Sequence, residues 1–269
     1  MGSCVSSEFR TITLTTVLNT TQFLYLDLFN ICPSPHLLIL VLHCLWYLYF
    51  QYTSTKSAFS AQPFIMASHA SGLPNTDQVR AAAAAVAHAL KGKQHYAVIG
   101  GAACAVLGSH RDTADVDFVV PKGETKAART LLKTEQAKFT VESKTNHTYY
   151  LSHPQVEVEI LAPPGLFKEE FSASTPTITV NDVRLLKPTL ILNAKCRSIL
   201  GRANDSKKAT DSQDILFLLA WCAHNRMRPT AAEVPNASKD FVGWFISTFG
   251  GADAWAHAGY DVSKGTWSA

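Results

Sequence analysis

From residue 66 onward the apolar positions follow two rhythms, a period of about 3.6 residues that marks helices and a period of about two that marks strands. Asn75 or Thr76 can cap a helix running through Asp77 and an alanine-rich stretch to about Leu90, because alanine has the best helix propensity and aspartate suits a first turn. Gly92 stops it. The run from His95 to Ile99 reads as a buried strand ending at Gly100 and Gly101, and a short helix from Ala102 to Leu107 follows. Val116 to Val120 is another strand, Pro121 and Gly123 break it, and Glu124 to Thr134 has the composition of an exposed helix. Further strands are expected at Lys138 to Glu142, Thr148 to Ser152 and Val156 to Leu161, with a hairpin between Thr177 and Leu185. Pro188 suits the first turn of a helix reaching about Leu200, and a second helix from about Lys208 to His224 carries Ile215, Leu218, Leu219 and Cys222 at helical spacing. Phe241, Trp244, Phe245 and Phe249 predict one more helix, packed on that pair.

Residues 1–65 differ in composition. Leu, Phe, Tyr and Thr dominate, and the only charged residues are Glu8, Arg10, Asp27 and Lys56. The most apolar run, Leu37 to Phe50, is interrupted by His43 and falls short of the ~20 residues a stable membrane span needs. Pro33, Ser34, Pro35 and His36 precede it where a secretory signal would place basic residues. The opening Met1-Gly2-Ser3-Cys4-Val5-Ser6 matches the pattern for myristoylation of Gly2, with Cys4 available for the second acyl chain of a lipid anchor. The favoured expectation is different: the folded protein starts at Met66, and what precedes it is a disordered or misassigned extension. The chain thus divides into an N-terminal extension (1–65), a sheet-bearing domain (66–187) and a helical C-terminal part (188–269).

Apolar residues make up 47% and charged residues 17% of the 269 positions, which excludes an intrinsically disordered chain. Lys and Arg number 24 against 21 Asp and Glu, an excess too small for a nucleic-acid coat or a polybasic membrane binder. The six cysteines, Cys4, Cys32, Cys44, Cys104, Cys196 and Cys222, form no C-x-x-C pair, so they read as free thiols in a reducing, cytoplasmic setting. None of the ten histidines lies in an H-E-x-x-H or Cys/His grouping, and no G-x-S-x-G segment suggests a covalent hydrolase.

The informative segment runs from Gly100 to Phe118. Paired glycines between a strand and a helix allow close backbone approach and leave free N–H groups where a phosphate is favoured. Asp115 and Asp117, two apart on a strand, share one face, and two carboxylates so placed repel unless a cation lies between them. Magnesium takes hard oxygen ligands of this kind together with substrate phosphates. The strand from Val156 to Leu161 offers Glu157 and Glu159 on one face and Val156, Val158 and Ile160 on the other. Glu159 is the candidate third carboxylate, and Glu157 reads as solvated.

In these elements, Gly100-Gly101, Arg111-x-Thr113-x-Asp115-Val116-Asp117 and the later acidic strand with Glu159, the sequence resembles the polymerase-beta-type nucleotidyltransferase superfamily, in particular its small stand-alone members. The resemblance covers roughly Tyr96 to Cys222 and extends to Lys195, Arg202, Lys207, Lys208, Asp211 and Asp214 of the helical part. It implies an α+β fold with a mixed sheet and flanking helices, followed by a small helical part. It also implies magnesium-dependent transfer of a nucleoside monophosphate from a nucleoside triphosphate such as ATP to an acceptor, whether protein, small molecule or RNA. In that scheme Asp115, Asp117 and Glu159 are catalytic and hold the metal, while Gly100, Gly101, Arg111, Thr113 and Lys195 contact the nucleotide. The sequence departs from the pattern twice: Glu159 stands where aspartate is commoner, and Gly-Gly replaces the Gly-Ser of many active members. Both departures keep open a catalytically inactive nucleotide-binding or regulatory protein. From the residues alone, Arg111 could instead pair with a surface acid, Thr113 form a turn, Lys195 reach solvent, and Asp211 and Asp214 favour a helix start.

Overall fold

The computed structural model describes residues 72–268, so the extension, its lipid-anchor motif, the Met66 start and the first three cysteines lie outside the described residues. The predicted first helix is α1 (Thr76–Leu90). Asn75 accepts a hydrogen bond from the Gln78 N–H while the Gln78 side chain accepts one from the Asn75 N–H, both at 2.9 Å, a reciprocal cap. Ala82, Ala83, Ala85, Ala87 and Ala89 of α1 are buried, and the helix packs on α2 (Gly100–Val106) as well as on the sheet. Arg80 fixes that packing by donating to the carbonyls of Ala105, in the last turn of α2, and of Ser109, just past its end, at 2.8 and 3.0 Å.

Seven strands, β1 (Ala97–Val98), β2 (Asp115–Val119), β3 (Phe139–Val141), β4 (Thr148–Tyr150), β5 (Val156–Leu161), β6 (Thr177–Val180) and β7 (Val183–Leu186), form one sheet. Their order is β3-β4-β5-β2-β1-β7-β6, with β2–β5 and β1–β7 parallel and the other pairs antiparallel. The mixed sheet expected from the sequence is thus present, flanked by α1 and by α3 (Thr125–Thr134). Val116 and Phe118 of β2 and Val156 and Val158 of β5 are buried. Alternation therefore puts Asp115, Asp117, Glu157 and Glu159 on the opposite face.

Two helices, α4 (Pro188–Leu200) and α5 (Asp205–His224), pack on each other and follow the sheet. Beyond them lie α6 (Lys239–Phe249), α7 (Ala252–Ala258) and a hairpin of β8 (Tyr260–Asp261) and β9 (Thr266–Trp267). The expectation that the aromatic helix packs on the α4–α5 pair needs correction, since α7 makes the main contact with α5. With seven residues, α7 is too short for a helical period to show. Trp255 at its centre is fully buried, with the rings of Phe241, Phe245, Tyr260 and Trp267 between 5.6 and 6.3 Å away. No helix among the described residues is long and apolar enough to cross a membrane.

An ion network ties the helical part to the sheet. Asp214 of α5 accepts from Nε and Nη2 of Arg111 at 2.8 and 3.0 Å, and from Lys195 Nζ at 2.7 Å. Lys195 also donates to Asp211 at 2.7 Å, and Asp211 further accepts from Arg202 at 2.8 Å and Ser198 at 3.1 Å. Because α5 begins at Asp205, Asp211 and Asp214 lie beyond its first turn. Their role as helix-start carboxylates is corrected accordingly: they are the buried anions of this network, with side chains 2% and 0% exposed. Burial favours the neutral form of Asp211, yet Lys195 and Arg202 outweigh it and hold the carboxyl below its ordinary range. Removing one partner of a buried pair leaves an uncompensated charge. Asp214→Ala is therefore expected to cost about 3–5 kcal/mol in denaturant unfolding, well above a surface substitution.

Candidate functional site

The parallel register of β2 and β5 sets Asp115 opposite Glu157 and Asp117 opposite Glu159. The Thr113 hydroxyl donates to Asp115 at 3.2 Å. Glu157, expected as a solvated residue, is bonded to Nδ1 of His147 at 2.7 Å, and the His147 ring stacks on Tyr149. Asp117 has no such partner among the described residues. Burial, reinforced by the charges of Asp115 and Glu159, pushes its carboxyl up to about 7, against the opposing pull of Lys195 and Arg202. Glu159 is exposed, and its carboxyl is raised as well, first by desolvation and then by Asp115 and Glu157. The three carboxylates predicted from the sequence are therefore neighbours that repel one another.

Asp117 and Gly100 open into a cavity of about 430 Å³ walled by the segment from Leu166 to Glu169 and by α4, with Lys195, Ser198 and Arg202 in its lining. Gly100 has φ +65°, and a Cβ there would lie 2.6 Å from Asp117 Oδ2, so only glycine lets the backbone sit against this carboxylate. At Gly101 a Cβ would lie 2.6 Å from Thr113 Oγ1 and 2.7 Å from Arg111 Nη2. The space a serine would occupy is filled by Thr113 and Arg111, which accounts physically for the Gly-Gly departure. Of the predicted nucleotide contacts, Gly100 and Lys195 line the cavity, while Gly101 is buried behind it. The Arg111 guanidinium is committed to Asp214, and the Thr113 hydroxyl to Asp115. Sequence reasoning missed Ser198 and the Leu166–Glu169 wall, which carry no motif. A second, smaller cavity of about 200 Å³ lies along β5, with Glu157, Glu159, His147 and Arg129 in its lining.

Hard oxygen donors crowded on one face, with Asp117 and Glu159 raised first by burial and then by their neighbours, make a donor set that fits magnesium. No three His, Cys, Asp or Glu side chains among the described residues form a group that could hold a metal alone. A cation held by Asp115 and Asp117 would complete its shell with phosphate oxygens and water, as magnesium commonly does. The described thiols offer no rival chemistry. Cys104, Cys196 and Cys222 are buried and unpaired, and burial raises all three pKa values, that of Cys222 to about 12.

No protein-family model matches the chain, and no curated protein matches it in sequence. Solved structures do. Terminal uridylyl transferase 4 from Trypanosoma brucei, with bound GTP, aligns at 15% identity over 66% of this chain and 68% of that chain, with a TM-score of 0.29, too distant to support an argument. The crystal structure of an antigenic nucleotidyltransferase-like protein from Paracoccidioides brasiliensis aligns at 21% identity over 72% of this chain and 96% of that chain, with a TM-score of 0.54. At that identity the likeness concerns the fold alone, and the fold of this chain is nucleotidyltransferase-like.

Proposed function

We propose that the protein is a magnesium-dependent nucleotidyltransferase moving a nucleoside monophosphate from a nucleoside triphosphate to an acceptor hydroxyl. The observation that carries this reading is the β2–β5 register, which sets Asp117 beside Glu159 where Asp117 opens into a cavity walled by Lys195 and Arg202. The network behind that wall holds three cations, Arg111, Lys195 and Arg202, against the two anions Asp211 and Asp214. One positive charge is left over, and a triphosphate chain would complement it.

In the proposed step the acceptor oxygen forms a new bond to the α-phosphorus as the bond to pyrophosphate breaks. Glu159, beside Asp117 in register, takes the acceptor proton, and desolvation raises its carboxyl above the ordinary value. Asp115 and Asp117 would hold the magnesium, which when bound neutralises phosphate charge and stabilises the leaving pyrophosphate. Lys195 and Arg202 orient the phosphates from the α4 side, and Gly100 lets the chain of phosphates approach the backbone.

Incubation with nucleoside triphosphates and magnesium is expected to release pyrophosphate, and Asp115→Ala should lower the rate by about a hundredfold or more, the scale of losing an electrostatic stabiliser. Triphosphate binding without any turnover would instead establish the catalytically inactive alternative. Asp117→Asn gives a second check. In the cation-free protein the raised Asp117 carboxyl costs stability once it ionises, so stability should fall as pH rises through about 7. Asp117→Asn should abolish that fall and raise the melting temperature of the metal-free protein above pH 7, while removing transfer.

A further inference from the structure

Two cavities flank the carboxylate row. Asp117 lines the larger and Glu159 the smaller, and these two residues are register partners on adjacent strands. Leu166, 76% exposed, stands in the lining of both and forms a shared wall. In-line displacement requires the incoming oxygen and the departing pyrophosphate on opposite sides of the phosphorus. With the triphosphate in the larger cavity, the smaller one lies on the Glu159 side. Its lining sets two basic side chains, Arg129 on α3 and His147 before β4, against Glu157 and Glu159, with Thr145 and Asn146 as neutral polar groups; Glu157 pairs with His147, which leaves Arg129 as the basic group not answered by Glu157. Arg129 Nε is buried and has no hydrogen-bond partner among the described residues. Nε lies too deep for a ligand to reach, but Arg129 lines the cavity, where its guanidinium can meet an anion. The His147 imidazole is oriented by Glu157, whose hydrogen bond favours its charged form. At about 200 Å³ the cavity is smaller than the pockets that take drug-sized ligands, roughly 300–1,000 Å³, so what enters is small.

Resting on the nucleotidyltransferase reading, we infer that this second cavity is the acceptor subsite and that it selects a small hydroxyl compound bearing an anionic group. Arg129 and His147 bind the anion, and Glu159 faces the hydroxyl. The acceptor oxygen forms the bond to the α-phosphorus, its proton passes to Glu159, and pyrophosphate leaves. A carboxylate or phosphate on the acceptor gives Arg129 the partner the fold withholds.

The test uses the full chain, with the His147 ring signals followed by NMR and assigned by their loss in His147→Asn. Glycerol phosphate and glycerate are the anionic probes, and glycerol is the uncharged control. Both anions are expected to shift the His147 signals saturably and glycerol is not. Arg129→Gln should weaken anion binding by about tenfold or more, the scale of a charge-assisted hydrogen bond, and Arg129→Lys should recover part of it. At least one anion should also accelerate pyrophosphate release from ATP and magnesium in the wild type. Equal binding of glycerol, no shift with either anion, or undiminished binding in a folded Arg129→Gln protein would overturn the subsite. Binding that leaves pyrophosphate release unchanged would overturn its role as acceptor site. Absence of any release from the wild type would be a failure of the transferase reading itself, and the His147 shifts would still decide whether the anion site exists.

Discussion

Carboxylates placed side by side on two adjacent parallel strands are the constraint on which the rest of this structure depends. Asp115 and Asp117 on β2 face Glu157 and Glu159 on β5 in register, so four negative groups share one face. The fold relieves only part of the repulsion. Glu157 is answered by His147 and Asp115 by the Thr113 hydroxyl, but Asp117, its carboxyl pushed up to about 7, is only partly ionised near neutral pH without an added cation. Such an arrangement is poor for stability, and under the proposed function it would gather a divalent ion beneath a polyphosphate, the familiar exchange of stability for function at a binding site.

The positive side of this balance is supplied from far along the chain. Asp211 and Asp214 on α5 hold Arg111, Lys195 and Arg202 in place, so the cations near the cavity are fixed by counter-ions behind them. A side chain positioned this way loses little freedom when an anion arrives, which favours binding more than a freely rotating surface lysine would. The same network makes the helical pair α4–α5 part of the site rather than an appendage to the sheet.

How much of this could be read beforehand varies with the physics involved. The strict alternation from Val156 to Leu161 announced β5 with its bounds, and Asp-Val-Asp announced the polar face of β2, because a period of two is a local property. The proline at the start of α4 and the Asn75 cap of α1 were equally local. What distance in sequence conceals is partnership. Arg111 and Asp214 are 103 residues apart, and nothing near either residue names the other. Gly101 could be read as a phosphate cradle, whereas its reason lies in Thr113 and Arg111 pressing on the position a side chain would need. The three-residue-earlier start of α5 and the existence of α7 were missed for a related reason: short segments carry too few residues for periodicity to register.

The Arg111–Asp214 contact bears on how the protein can be divided. Arg111 lies in the segment that delivers Asp115 to β2, and its counter-ion belongs to a helix of the C-terminal part, so the two parts are joined within one compact unit. Any excision that separates them strands a guanidinium against the glycine turn. The acidic strand, competent by its own sequence, would then lose the brace that aims it.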